Sequence, residues 1–192
     1  MKYMKSTLVI FIISLIALTS NPDTSSAHSS TCNSSSEMYG YTVNCGSPGH
    51  AGTRYINYRF DNVPARYQTF TANGVSRWNN TNVVSISLST SSNNVVQIYR
   101  DNNSSTVASV TSVYNAATRH KTRWTMRYNE PKMTFRSDAQ NNGTAAHEFG
   151  HTIGLADLYT SPNINKLMYG YSSRTVGFPT SSDITGAREA VK

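Results

Sequence analysis

Two histidines and a glutamate set out the chemistry available to this chain. They stand as His-Glu-x-x-His within His147-Glu148-Phe149-Gly150-His151-Thr152-Ile153-Gly154-Leu155-Ala156-Asp157. On a helix, His147 and His151 are one turn apart, so both imidazoles leave the same face. That spacing lets both rings bind one zinc ion. Glu148 lies about 100° round the helix from His147, beside the metal without ligating it. A general base for an activated water belongs there.

A third protein ligand is required. Asp157 would lie about 240° round from His151 if the helix continued, facing away from the ion. Gly154 offers the way back, because glycine tolerates positive φ and commonly ends helices. A chain reversing at Gly154 brings Asp157 to the metal. Two imidazoles, one carboxylate and an open fourth position make a catalytic zinc site.

His147-Glu148-x-x-His151-x-x-Gly154-x-x-Asp157 resembles the zinc motif of the metzincin metalloproteases, with aspartate as third ligand in the snapalysin-like manner. Downstream, Lys166-Leu167-Met168-Tyr169-Gly170-Tyr171 is similar to the metzincin Met-turn in its matrixin form, with Met168 as the methionine below the zinc. The resemblance is strongest over residues 137–171 and does not cover 1–50. It implies an α+β fold: a twisted mixed sheet, a helix preceding the active-site helix, a C-terminal helix, and a cleft between upper and lower subdomains. It also implies an edge strand above the cleft that pairs with extended substrate, and a wall after the Met-turn, here Val176–Pro179. Tyr159 and Tyr171 are candidates for contact with substrate or with the oxyanion. Astacin-like members carry a tyrosine two residues after the methionine; that position here is Gly170.

The positioning elements are legible locally. Ser137-Asp138-Ala139-Gln140 has the capping-box pattern and opens the active-site helix. Ala146, Phe149 and Ile153 share its core face. Thr53–Phe60 reads as an aromatic-rich strand. Pro64 sits at the start of a helix capped by Asp61 or Asn62, with Tyr67, Phe70, Val75 and Trp78 inward and Gly74 weakening it. Val84, Ile86 and Leu88 alternate with serines as a half-buried strand, and Val95–Arg100 is another. Strands follow at Thr106–Tyr114 and Arg119–Arg127, the latter with Trp124, Met126 and Tyr128 on one apolar face. Asp183 caps a closing helix with Ile184, Ala187 and Val191 inward.

The 192 residues divide into a leader (1–27), a Ser-rich segment with both cysteines (28–50) and one catalytic domain (51–192). Lys2 and Lys5 precede the apolar run Leu8–Leu18, a signal-peptide pattern with cleavage after Ala27 or Thr19. The expected location is extracellular, with no stable membrane insertion after cleavage. In that compartment Cys32 and Cys45 are expected to pair. Alternatively, Cys45-Gly46-Ser47-Pro48 resembles the matrixin cysteine switch, although Gly49 stands where that motif has aspartate and no arginine precedes Cys45. Formal charge is +7; with no nucleic-acid motif, that charge suits solubility or association with an anionic cell envelope. The expected partner is a protein or peptide substrate, met by a monomer. The resulting expectation is a secreted zinc endopeptidase. The alternatives are a non-catalytic binding or adhesion module on a metalloprotease scaffold, and an amidase for cell-wall peptides.

Overall fold

A computed structural model describes residues 32–192 of the chain; the expected leader and cleavage site lie outside them. The elements in chain order are β1 (Ser35–Ser36), β2 (Tyr41–Thr42), β3 (Tyr55–Phe60), α1 (Ala65–Asn79), β4 (Ser85–Leu88), β5 (Val95–Tyr99), β6 (Ala108–Tyr114), β7 (Lys121–Asn129), α2 (Glu130–Thr134), α3 (Asp138–Ile153) and α4 (Ser181–Ala190). The fold is mixed α+β. Its main sheet has the order β4-β3-β5-β7-β6. The first four strands run parallel and β6 returns antiparallel to β7, pairing Val110 with Met126 and Ser112 with Trp124. β6 is therefore an edge strand. None of the described helices is long and apolar enough to cross a membrane.

Period-two patterning decides which face of the sheet is covered. Trp124, Met126 and Tyr128 alternate along β7 and are buried, while Arg123 just before them and Arg127 between them are exposed. Ile56 and Tyr58 of β3 join the same core. Phe149 of α3 meets Tyr58 and Trp124 edge-on, with ring centroids 5.7 and 6.2 Å apart. Leu88 departs from the expected alternation. It ends the edge strand β4 and is exposed.

The two long helices pack closely. At Gly74 an added Cβ would lie 2.8 Å from the backbone of Ala145 and Ala146, so this glycine, which weakens α1 in isolation, is what lets the helices approach. The Trp78 indole donates to Ala146 O at 2.7 Å, fixing α1 against the middle of α3. The cap of α1 is Pro64 itself, with extended backbone and no side-chain cap bond, in place of the expected Asp61 or Asn62. α3 opens with the predicted capping box between Ser137 and Gln140.

Residues 32–50 lie against the end of α3. Cys32 and Cys45 form a disulfide, so Cys45 offers no thiolate and the switch alternative falls. Val43 is buried and bridges Leu155. Asp183 is fully buried at the third position of α4, with Thr180 as the cap. Its carboxylate accepts from Thr180 N and Oγ1 at 2.7 and 2.6 Å, and from Leu167 N and Met168 N at 3.1 and 3.3 Å. One acidic side chain thus caps α4 and anchors the loop that carries Met168. Asp183→Ala leaves these donors without an acceptor and is expected to cost about 3 kcal/mol or more in denaturant unfolding; a loss below about 1 kcal/mol would contradict that anchoring role.

Candidate metal centre

The buried half of α3 presents His147 and Glu148, and its last turn presents His151. The helix stops at Gly154, whose φ of 123° is open to glycine alone at low cost and whose absent Cβ would strike His50. Gly154 N and Leu155 N both turn back to Gly150 O, at 3.0 and 2.9 Å. The reversed strand is then held from outside: Asn44 N donates to Gly154 O at 2.8 Å and Ala156 N to Thr42 O at 2.9 Å. Asp157 emerges pointing back at the histidines.

The structure brings His147, His151 and Asp157 together, with one ligand atom from each lying within 4.8 Å of the others. The histidine tautomers follow from their neighbours. His147 Nδ1 is 2.9 Å from Leu167 O, and His151 Nδ1 is 2.9 Å from Leu155 O. A carbonyl only accepts, so each Nδ1 carries its proton and each neutral ring turns an Nε2 lone pair inward. Those lone pairs face Asp157 Oδ1 at 3.1 and 3.5 Å. That oxygen is buried and receives no well-directed hydrogen bond. Three converging acceptors repel one another unless a cation sits between them, and two imidazoles with one carboxylate are a donor set suited to a metal such as zinc. The residues present therefore fit a metal ion.

Protonation follows the same logic. Burial, with help from Arg174 and His151, pushes His147 down to about 4 against the pull of Asp157, so it is neutral and able to ligate at pH 7. Burial also disfavours charge on His151, but Asp157 and Glu148 outweigh it and its pKa is raised. For Asp157, burial acts upward, and the two histidines outweigh it, holding the carboxyl far below the usual range. Glu148 is pushed up to about 7 by burial, against the opposing charges of His151 and Arg174, and its Oε2 has no hydrogen-bond partner. A free, poised carboxylate beside a metal triad can take and return a proton near neutral pH.

All four side chains line a cleft of about 630 Å³, whose other walls include Ser105–Val110 leading into β6, Asn44 and Pro48, and Tyr171, Ser172 and Arg174. Met168 is buried beneath α3 against Gly150, and Leu158 N donates to its carbonyl at 2.9 Å. Tyr159 is half exposed; its hydroxyl donates to Asp157 Oδ2 at 3.2 Å, and its ring packs edge-on against Tyr171 at 5.6 Å. Tyr171 lies in the cleft wall. The expected wall Val176–Pro179 turns elsewhere: Arg77 donates to Gly177 O at 2.5 Å and stacks on Phe178, which fixes the segment against α1.

Several residues at the site carry no local sequence signal. Glu37 accepts from Tyr159 N and Thr160 N at 2.9 and 2.7 Å, tying the N-terminal segment to the loop beyond Asp157. Lys121 lines the cleft, donates to the carbonyls of His151 and Thr152 at the end of α3, and is lowered to about 7 by burial. Arg174 lines the cleft as well. Only its place in the sequence, shortly after the Met-turn and far from any acidic residue, sets it apart.

No family model and no curated protein matches this sequence. Among solved structures, two of myroilysin are similar to it. One shares 12% identity, with 77% of this chain and 96% of that one covered at a TM-score of 0.48. The other shares 11%, with 76% and 86% covered at the same TM-score. At these values the likeness assigns neither activity nor site.

The opposed shifts of Glu148 and His147 predict a pH signature in metal-free protein. The folded pKa of Glu148, about 7, lies above the ordinary 4.5, so its contribution to stability is full below 4.5 and lost as pH rises through 7. His147, at about 4 against 6.5, contributes stability above 6.5 that is lost as pH falls through 4. Glu148→Gln removes the first and leaves the second. Metal-free Glu148→Gln is expected to gain about 3 kcal/mol on wild type between pH 4 and pH 8, measured by denaturant titration at both. Equal differences at the two pH values would contradict the burial of Glu148.

Proposed function

We propose that the protein is a secreted zinc-dependent endopeptidase of the metzincin type. The observation that carries this reading is the convergence of His147 Nε2, His151 Nε2 and an unsatisfied Asp157 oxygen beside the free Glu148 carboxylate in one open cleft. Zinc suits this donor set better than calcium or magnesium, which prefer all-oxygen cages. The leader pattern of residues 1–27 and the Cys32–Cys45 disulfide support export to an oxidising compartment.

His147, His151 and Asp157 would hold the ion, with Leu167 O and Leu155 O fixing the two rings and Tyr159 fixing the carboxylate. Zinc bound there supplies acidification of water and polarisation of a peptide carbonyl. Glu148 takes the proton from the attacking water and delivers it to the departing amine. Its raised pKa suits both halves of that task. The edge strand β6 leaves one side unpaired, and the stretch from Ser105 to Val110 borders the cleft. An extended substrate adds there as a further strand, held by main-chain hydrogen bonds. Tyr171 in the wall contacts substrate. Tyr159 is engaged with Asp157 and acts as a positioning residue. The basic chain associates with anionic cell envelope through the exposed arginines of β7, Arg123 and Arg127, and works as a monomer.

Zinc-loaded protein is expected to cleave casein within the chain, to lose this activity to a chelator and to regain it with zinc. Glu148→Ala should keep its zinc and lose at least about a hundredfold in kcat, while Asp157→Ala should lose zinc. If wild type and Glu148→Ala both hold zinc and neither cleaves protein or peptide, a non-catalytic binding module is the correct reading.

A further inference from the structure

One wall of the cleft carries positive charge that neither the metal ligands nor Glu148 requires. Arg174 lines the cleft beside Thr144, Glu148 and Ser172. Its guanidinium makes one long hydrogen bond, Nη2 to Gly143 O at 3.4 Å. Arg136 stands near enough for the two positive charges to repel. It reaches Ser172 O at 3.3 Å and Thr144 Oγ1 at 3.4 Å, and its buried Nε has no acceptor. Neither arginine makes an ion pair among the described residues. Burial and the neighbouring Arg136 together lower Arg174 to about 10 against the pull of Glu148 and Asp157. Even so, both guanidiniums stay charged at neutral pH.

Two partly buried cations side by side are costly without an anion. Glu148 and Asp157 lie nearby, but on the reading above their oxygens would be engaged by proton transfer and by the metal. Arg174 presents a planar fork, held by one long hydrogen bond, to the same cleft as the reacting groups, and Arg136 backs it through Ser172 and Thr144 of the cleft wall. A carboxylate is the ligand that fits: it is planar, it is anionic and it accepts from a guanidinium in bidentate fashion. Ordinary main-chain carbonyls of a neutral peptide would leave the charge of the pair uncompensated.

We propose that Arg174, backed by Arg136, forms a carboxylate-recognition subsite that selects peptides carrying an anionic group close to the bond being cut. This rests on the peptidase reading above for the word "cut", and on the arginine pair alone for the binding. The carboxylate has two sources in a peptide, an Asp or Glu side chain or a free C-terminus. In the first case the protein cleaves beside acidic residues, and in the second it trims short fragments from chain ends.

The test uses zinc-loaded full-length protein and matched peptides chosen from a library digest. Each peptide is made with Glu or Gln near the scissile bond, and with a free or amidated C-terminus. Wild type is expected to favour one carboxylate form at least about tenfold in kcat/KM, and Arg174→Gln to reduce that ratio below about threefold, as loss of a charge-assisted fork requires. Arg136→Gln should reduce it in the same direction. A Glu-over-Gln contrast identifies the acidic side chain, and an acid-over-amide contrast identifies the chain end. Calorimetric binding of the same peptides to Glu148→Ala protein, with and without Arg174→Gln, reads the subsite without turnover. Carboxylate-selective binding that depends on Arg174, together with zinc-loaded wild type that cleaves no protein or peptide, would uphold the subsite and sink the peptidase. Cleavage with no contrast above about threefold in either pair, or a contrast that survives both arginine substitutions, would overturn the subsite and leave the peptidase standing.

Discussion

Three acceptor atoms converge in this molecule because the backbone reverses at Gly154. A side chain at that position would meet His50, and an ordinary residue would resist a φ of 123°. The reversal is held from both sides. Gly150 O closes the end of the helix, and Thr42 and Asn44 pair with the strand that leaves it. The disulfide joins Cys32 to Cys45, at the end of that same pairing segment. The N-terminal residues therefore belong to the machinery that aims Asp157, although they contribute no ligand.

Electrostatics explains why the site is open yet poised. The histidines spend their Nδ1 protons on Leu167 O and Leu155 O, so what faces Asp157 is a pair of lone pairs. Burial strengthens that conflict instead of relieving it. A divalent cation resolves it, and its positive charge would also draw Glu148 toward its ionised form. Asp183 supports the arrangement from below: the backbone whose carbonyl orients His147 is the one whose amide, at Leu167, donates to Asp183. Ligand orientation is thus coupled to the cap of α4.

Local pattern made much of this legible. The His-Glu-x-x-His spacing, the Ser137 capping box and the alternation of Trp124, Met126 and Tyr128 each act within a few residues, where period and type suffice. What escaped was non-local. Pro64 displaced Asp61 and Asn62 as cap because its fixed φ already suits a helix entry. Leu88 is exposed at the end of a strand whose Ile86 is buried, a difference that the alternation does not mark. Val176–Pro179 left the cleft for Arg77, a residue about a hundred positions away. Arg136 and Arg174 come together only once the start of α3 and the loop after Met168 are packed against each other. No periodicity announces such a meeting.

The convergence itself can be read directly by X-ray absorption at the zinc edge of the loaded protein. The account predicts a four-coordinate shell at about 2.0–2.1 Å made of two imidazole nitrogens and two oxygens, lost with the zinc on Asp157→Ala and unchanged on Glu148→Ala. A shell containing sulfur, or one indifferent to Asp157, would contradict it.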